Sequence, residues 1–501
     1  MKPHPFINYG LATILANNNL NSEVEISRTN LLQAIENALN HFRVKPINEN
    51  FSQASIKFQY SNTEKGNPKN GIYLSPSILA SDKGAGQVFS VLQNIKTELE
   101  NDTDLDKNID ITRAIAPLSA EFSSFGKSAI GRGKPRTDMK TAIYCAVSTS
   151  TIHKPCMAFK VIKKEKPEWE NVAIIPDLEI DKLIDFILLF EQIRISSTEG
   201  LFIGNINQKD KKPNRPRLFD GNFPNAPRSS SLGAIGLLGA IGSWANDAGK
   251  INWANSVLES LKERPIYMIG TKTFETFTFN HFVIDMAKDN KLSSVIDSIF
   301  YIVLYNQGFR NFNTRLEYQK FDLFASRFLQ LFSRPAFKDF LAFRAEYPYK
   351  FEILLKNYFM NVEKIELAVV KSAIELGKWL NLAAYKVAKS NVEGNNFEKI
   401  REQKAKALIE IESSIFSARS GDALIFQAIT RAGRASGLDA PAEAEIFMTK
   451  AATGEISLDT AKHLLIAFSR VKNKFEPRNS VPNEEVIENQ EIDEDLSEAQ
   501  E

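Results

Sequence analysis

Residues 362–387 read VEKIELAVVKSAIELGKWLNLAAYKV, and their spacing decides the architecture of the last third of the chain. Ile365, Val369, Ala373, Leu376, Leu380, Ala384 and Val387 recur three and four residues apart, one apolar stripe along about six helical turns. The polar run from Asn391 to Asn396 ends that helix. A second is expected from Phe397, with Ile400, Leu408, Ile411 and Ile415 inward, and a third after Gly421, with Leu424, Ile425 and Ile429. Pro441 and Leu458 open two more, with Asp439 and Ser457 as caps. Residues 360–482 thus read as a bundle of about five helices.

Upstream the pattern mixes. Asn8 to Phe42 holds two helical stretches, the second apolar at Leu31, Leu32, Ile35, Ala38 and Leu39 and capped by Thr29 or Asn30. Ser52 to Leu79 breaks into short alternating runs such as Ile56–Tyr60, separated by Asn and Gly, which predict strands and turns. Thr141–Val147 and Val172–Ile175 read as buried strands, Asp181–Ile195 as a helix, and Ile266–Phe282 as further strands. In Leu232–Gly242 a glycine recurs every third residue, which points to close backbone approach. Leu292 to Phe359 returns to Phe-rich amphipathic helices. The fold class expected is α+β, a mixed N-terminal body over 1–359 ahead of the helical bundle.

The chain has 501 residues, 43% hydrophobic and 25% charged, enough for more than one structural unit. Thirty-five Phe against four Trp suggest greasy interiors more than stacking surfaces. The net charge is only +1, but residues 483–501 hold nine acids and no base. Without that tail, read as disordered, sixty-two bases face fifty-two acids, a mildly basic body suited to a nucleic-acid partner. Cys145 and Cys156 are the only cysteines, too few for a disulfide framework or a four-cysteine zinc site, and a reducing compartment is implied. The first residues lack a signal core and the run Leu232–Ala245 is too short to span a bilayer, so the expectation is a cytoplasmic protein without membrane contact.

Catalytic patterns find no support. Phe125–Ser128 ends like a phosphate loop, but Glu121 stands where that loop needs its first glycine, and a carboxylate there repels phosphate. His4, His41, His153, His281 and His463 are scattered, with no spacing for a metal or nuclease site. No metal or other cofactor is expected.

Basic segments carry more. Lys127, Arg132, Lys134, Arg136 and Lys140 surround Gly126, Gly131 and Gly133, a composition that brings backbone amides and cations to phosphate. Residues 205–231 form a long loop with Lys209, Lys211, Lys212, Asn214, Arg215 and Arg217, in which amides can address base edges while guanidinium groups hold phosphate or guanine. Arg431 and Arg434 lie three apart on one helix, and Arg470, Lys472 and Lys474 gather near the bundle's end. Solvated charged loops and faces compete with each of these readings. Over 360–482 eighteen bases meet fifteen acids, so any grip there is modest.

Pro5-Phe6-Ile7-Asn8-Tyr9-Gly10-Leu11-Ala12, Leu376-Gly377-Lys378-Trp379-Leu380-Asn381, Ser413 to Arg419, and Thr430-Arg431-Ala432-Gly433-Arg434 together resemble the large subunit of type I CRISPR surveillance (Cascade) complexes. The resemblance is to the branch of subtypes A and B and a myxobacterial-type variant. It covers the first forty residues and Arg334 to Asn473 best. It implies a non-catalytic subunit near the 5′ handle of the guide RNA that reads the protospacer-adjacent motif of target double-stranded DNA, while base pairing supplies sequence specificity. The helical C-terminus would support the displaced strand or contact small subunits. Partners implied are the guide RNA, the target DNA, the backbone, handle-binding and small subunits, and a recruited helicase-nuclease or transposition machinery. Some relatives carry a cysteine zinc site near the start; this chain lacks those cysteines, so no zinc role is carried over.

In related systems the small subunit arises by internal translation, and Met360 stands at the expected onset of the bundle. Initiation there would release a free copy of the module. Two other classes compete with the CRISPR reading: a general nucleic-acid-binding assembly scaffold, and an enzyme with an unrecognised site.

Overall fold

The computed structural model describes residues 4–40, 45–46, 58–59, 82–111, 115, 136–151, 154–163, 166–196, 230–270, 274–300, 314–329, 331, 337–342, 345–394 and 396–472. They form two compact units, one up to Asn290 and one from Lys291.

The first unit opens with α1 (Pro5–Asn18) and α2 (Arg28–Asn40). His4 caps α1, its Nδ1 accepting the Phe6 N–H at 3.1 Å. Ser27 and Asn30 cap α2 reciprocally: Ser27 N donates to Asn30 Oδ1 at 2.9 Å and Asn30 N to Ser27 Oγ at 3.2 Å. Of the expected strand region, 52–79, only β2 (Phe58–Gln59) lies among the described residues, where it pairs with β1 (Lys45–Pro46). Then come α3 (Asp82–Glu100), the antiparallel pair β3 (Asn108–Asp110) and β4 (Arg136–Asp138), and α4 (Met139–Ser150). An antiparallel four-stranded sheet in the order β5 (Cys156–Lys163), β6 (Lys166–Pro176), β7 (Pro265–Gly270), β8 (Phe274–Thr278) receives α5 (Ile180–Ser196), α6 (Ser230–Asp247) and α7 (Ile251–Ser260) between its second and third strands. The unit closes with α8 (His281–Lys288).

One expectation fails here: Thr141–Val147 is helical, not a strand. Asp138 starts the helix by accepting the Thr141 N–H at 2.7 Å, and residues 142–150 are buried on every side. A helix enclosed all round shows no periodic stripe, and a short apolar run then reads equally well as a buried strand. The enclosure comes partly from α1, which crosses α4 so closely that a Cβ on Gly10 would lie 1.9 Å from the Tyr144 carbonyl oxygen. Buried Lys154 closes the far end of α4, its Nζ donating to the Ser148 and Thr149 carbonyls and lying 5.9 Å from the Phe6 ring centre. In α6, Gly242 provides the expected close approach, facing the Ala287 carbonyl of α8.

The second unit comprises α9 (Lys291–Phe300), α10 (Thr314–Leu329), α11 (Phe337–Leu341), α12 (Phe351–Asn361), α13 (Leu367–Ser390), α14 (Phe397–Ser417), α15 (Gly421–Ser436), α16 (Glu445–Ala452) and α17 (Leu458–Ser469). The last five are the expected bundle, with Asn396, Ser420 and Ser457 capping α14, α15 and α17. Asp439 is not the cap of α16, which follows a tight turn at Ala442–Ala444. Long α13 is the hub, touching α12, α14, α15, α16 and α17. Against α17 it has no room for a side chain at residue 377: a Cβ on Gly377 would lie 2.5 Å from the Phe468 Cβ.

The helical unit reaches well upstream of Met360, which sits in the last turn of α12. Phe351, Tyr358 and Phe359 are buried there with Phe328, Phe337, Phe340 and Tyr347, the rings meeting edge-on, tilted or stacked, as at 5.3 Å for the edge-on pair Phe328–Phe351 and 5.1 Å for the stacked pair Phe337–Tyr358. Phe359 in turn meets Phe468 of α17 at 5.7 Å. Tyr347 and Val471 form a short parallel bridge, with Tyr347 N donating to Arg470 O at 2.7 Å and Lys472 N to Tyr347 O at 3.1 Å. Part of the aromatic surplus of the sequence builds this interior.

Candidate nucleic-acid interface

Ten of the sixteen basic and amide positions expected to meet nucleic acid, Lys127, Arg132, Lys134, Lys209, Lys211, Lys212, Asn214, Arg215, Arg217 and Lys474, lie outside the described residues. The other six can be placed.

Arg136 and Lys140 are the described cations of the basic glycine-containing segment. Arg136 sits on β4 in register with Asp110 of β3, and its Nε is 3.0 Å from the Asp110 carboxylate, both side chains more than half exposed. Lys140, in the first turn of α4, holds Glu23 at 2.6 Å. The Tyr144 hydroxyl also donates to Glu23, at 3.1 Å, and burial together with that carboxylate pushes the phenol well above its ordinary range. Asp138 occupies the amide end of α4. Each placed cation of this segment therefore already faces a carboxylate. Exposed pairs of this kind are worth about 0–1 kcal/mol, so exchange for a phosphate is cheap, but the local field is close to neutral.

Arg431 and Arg434 project from α15. Arg431 donates to Ser414 Oγ at 2.6 Å and lies 3.7 Å from Glu410, so it braces α15 against α14 while its side chain stays half exposed. Arg434 is exposed in the last turn, where a cation complements the helix dipole. These two remain available to a strand.

Arg470 does not. It is 2% exposed and forks onto Glu412 through two bonds of 2.6 and 2.7 Å, while Nη1 donates to the Leu341 carbonyl at 2.5 Å and to the Tyr347 hydroxyl at 3.2 Å. Burial works against its charge, but Glu412 and Tyr347 hold the guanidinium above its ordinary pKa, and burial pushes Tyr347 up to about 12. Beside this pair, Lys404 reaches Glu346 at 2.5 Å and Asn381 at 2.9 Å, and Asn381 donates to Ser469 O at 2.8 Å. Arg470 is thus a tie within the fold, and its removal from the interface is a correction to the sequence reading. A cation one residue past an amphipathic helix can point either way, and the sequence carries no sign of which. Half-buried Lys472 follows it, its backbone fixed to Tyr347.

The sequence reading missed Lys371, Lys386 and Lys389, which are exposed on α13. The signal lay in their helical spacing, hidden because residue counts over the whole module average them with the acids of other helices. Among the described residues no group of three or more His, Cys, Asp or Glu is placed to hold a metal, and no helix is long and apolar enough to cross a membrane.

The motifs that carried the resemblance prove to be structural joints: Gly10 at the α1–α4 crossing, Gly377 and Asn381 at the α13–α17 contact, and Ser414 with Arg431 between α14 and α15. No curated protein matches the chain. The family model of CRISPR-associated protein Csp2 matches residues 4–472, nearly the whole length and both units. The chain therefore belongs to the CRISPR-associated protein Csp2 family and is a Cascade-type CRISPR subunit.

Proposed function

We propose that this protein is the non-catalytic large subunit of a guide-RNA-directed DNA surveillance complex, acting in the cytoplasm. It reads the motif flanking the target in double-stranded DNA, contacts the 5′ handle of the guide RNA, and supports the displaced strand as the R-loop forms. The observation that carries the reading is the family match over 4–472, which spans the mixed body as well as the helical unit. A mildly basic body and cation-rich segments at 127–140 and 205–231 add the charge that flank reading requires. Backbone, handle-binding and small subunits are its expected neighbours, and a recruited helicase-nuclease, or transposition proteins, would act on the opened target.

Purification with the neighbouring gene products tests this directly. Short RNAs sharing one repeated handle are expected in the complex; a mixed RNA population, or none, would refute the reading. Within a complex that passes, Arg215→Ala with Arg217→Ala is expected to weaken binding only to targets that carry the correct flank. Arg431→Ala with Arg434→Ala is expected to weaken all targets about equally. Unchanged affinity in both variants would remove these residues from the interface.

A further inference from the structure

The outward face of α13 carries more net positive charge than any other helix of residues 360–472. Lys371, Lys378, Leu382, Lys386 and Lys389 fall within about 80° of one another at 3.6 residues per turn, along about 27 Å of helix. Leu382 is 41% exposed between them, while the opposite face, with Val369, Ala373, Leu376, Leu380 and Ala384, is buried. Within α13 these four lysines meet a single acid, Glu375.

Apart from α15, where Arg431 and Arg434 exceed Asp422 by one, the other helices of the bundle balance their outward charge. On α14 exposed Lys399, Arg401 and Lys406 face exposed Glu398, Glu402 and Glu410. On α16 Glu445 offsets Lys450, and on α17 Asp459 offsets Lys462. Over residues 360–482 eighteen bases exceed fifteen acids by three, and α13 has the largest net charge of the bundle helices, four lysines against one acid. Lys378 is spanned by Glu352 at 3.5 Å and Glu375 at 3.2 Å. By contrast Lys371, Lys386 and Lys389 enter no ion pair among the described residues.

We propose that this stripe, Lys371, Lys386 and Lys389 flanking Leu382, is a track for the phosphate backbone of a nucleic-acid strand. The proposal rests on the reading of the protein as a nucleic-acid-bound subunit and names the surface in the helical unit that performs the contact. Charge complementarity selects the occupant: three uncompensated ammonium groups in line match a polyanion of regular spacing, and lysine's single-point cation suits backbone contact and not base readout. The contact is blind to sequence. It places the strand on the exposed face of α13, opposite the buried stripe.

The test is the salt dependence of binding by the full chain, with single-stranded DNA, duplex DNA and RNA of unrelated sequences as separate probes. Replacing the three lysines by Gln keeps helix propensity and removes three phosphate contacts. The slope of log affinity against log salt is expected to shrink by about 2 for single strands and about 2.7 for a duplex. That difference corresponds to about 15- to 40-fold between 50 and 200 mM salt. Replacement by Arg is expected to restore it. The probe showing the larger change identifies the strand. An unchanged slope in the Gln variant, with wild-type binding intact, overturns the stripe and leaves the broader reading standing. Absence of binding by the wild-type chain to all probes overturns both. A slope that becomes lysine-dependent only after residues 483–501 are removed would assign the stripe to the chain's own acidic tail and also overturn the proposal.

Discussion

Replacing Arg470 by Ala is expected to destabilise the helical unit by about 3–5 kcal/mol, the cost of stranding one member of a buried, hydrogen-bonded ion pair. The structure supports the upper part of that range. Truncation leaves Glu412, 5% exposed, without its two guanidinium bonds, and frees the Leu341 carbonyl and the Tyr347 hydroxyl as well. For a unit of this size, about 2–4 °C per kcal/mol gives a fall in Tm of about 6–20 °C. The assay is amide hydrogen exchange of the full chain, because it isolates the stability of α13 and α17 from that of the other unit. A second variant separates the pair from the site: Arg470→Met with Glu412→Leu removes both charges, and its loss should be well below the sum of the two single losses. If Arg470→Ala left exchange in α13 and α17 unchanged while nucleic-acid affinity fell, Arg470 would be a surface contact and the structural assignment would be wrong.

Gly377→Ala should cost about 1–3 kcal/mol through enforced separation of α13 and α17, read as a lower Tm, whereas Ala at exposed Gly454 meets no neighbour and is limited by backbone strain at φ 77°. His4 is drawn down to about 4 by burial, against the opposing pull of Asp177. Its folded form therefore resists protonation that the unfolded chain accepts near pH 6.5, so stability should decline as pH falls from about 6.5 to about 4. His4→Asn, which keeps a cap acceptor, should flatten that part of the Tm–pH curve. If translation starts internally at Met360, the product lacks Glu346, Tyr347 and Phe351, which partner Lys404, Arg470 and the aromatic core. That fragment should show weaker exchange protection than residues 291–501, and mass spectrometry of the native complex finding only full-length chain would end the internal-start idea.

Sequence periodicity sufficed for the bundle, because a stripe such as Val369, Ala373, Leu376, Leu380 and Ala384 is local information and one-sided burial turns it directly into a helix with a defined inner face. The α+β character and the two opening helices were legible on the same ground. The two basic segments proposed to read the flank, whose residues lie mostly outside those described, rest on composition alone.

Tertiary structure alone decided which charges point outward. Arg470 and Lys371 are both cations beside an apolar stripe, yet one is enclosed by Glu412 and Tyr347 and the other is exposed, a difference set by residues 58 and more positions away in the chain. It also decided that Thr141–Val147 is a helix, since enclosure by α1 erases the polar face that would have marked its period. Gly10 and Gly377 show the same division: the sequence by itself determined that these positions carry no side chain, but the need for none arises only where a carbonyl of α4 or the Phe468 Cβ of α17 comes within contact distance.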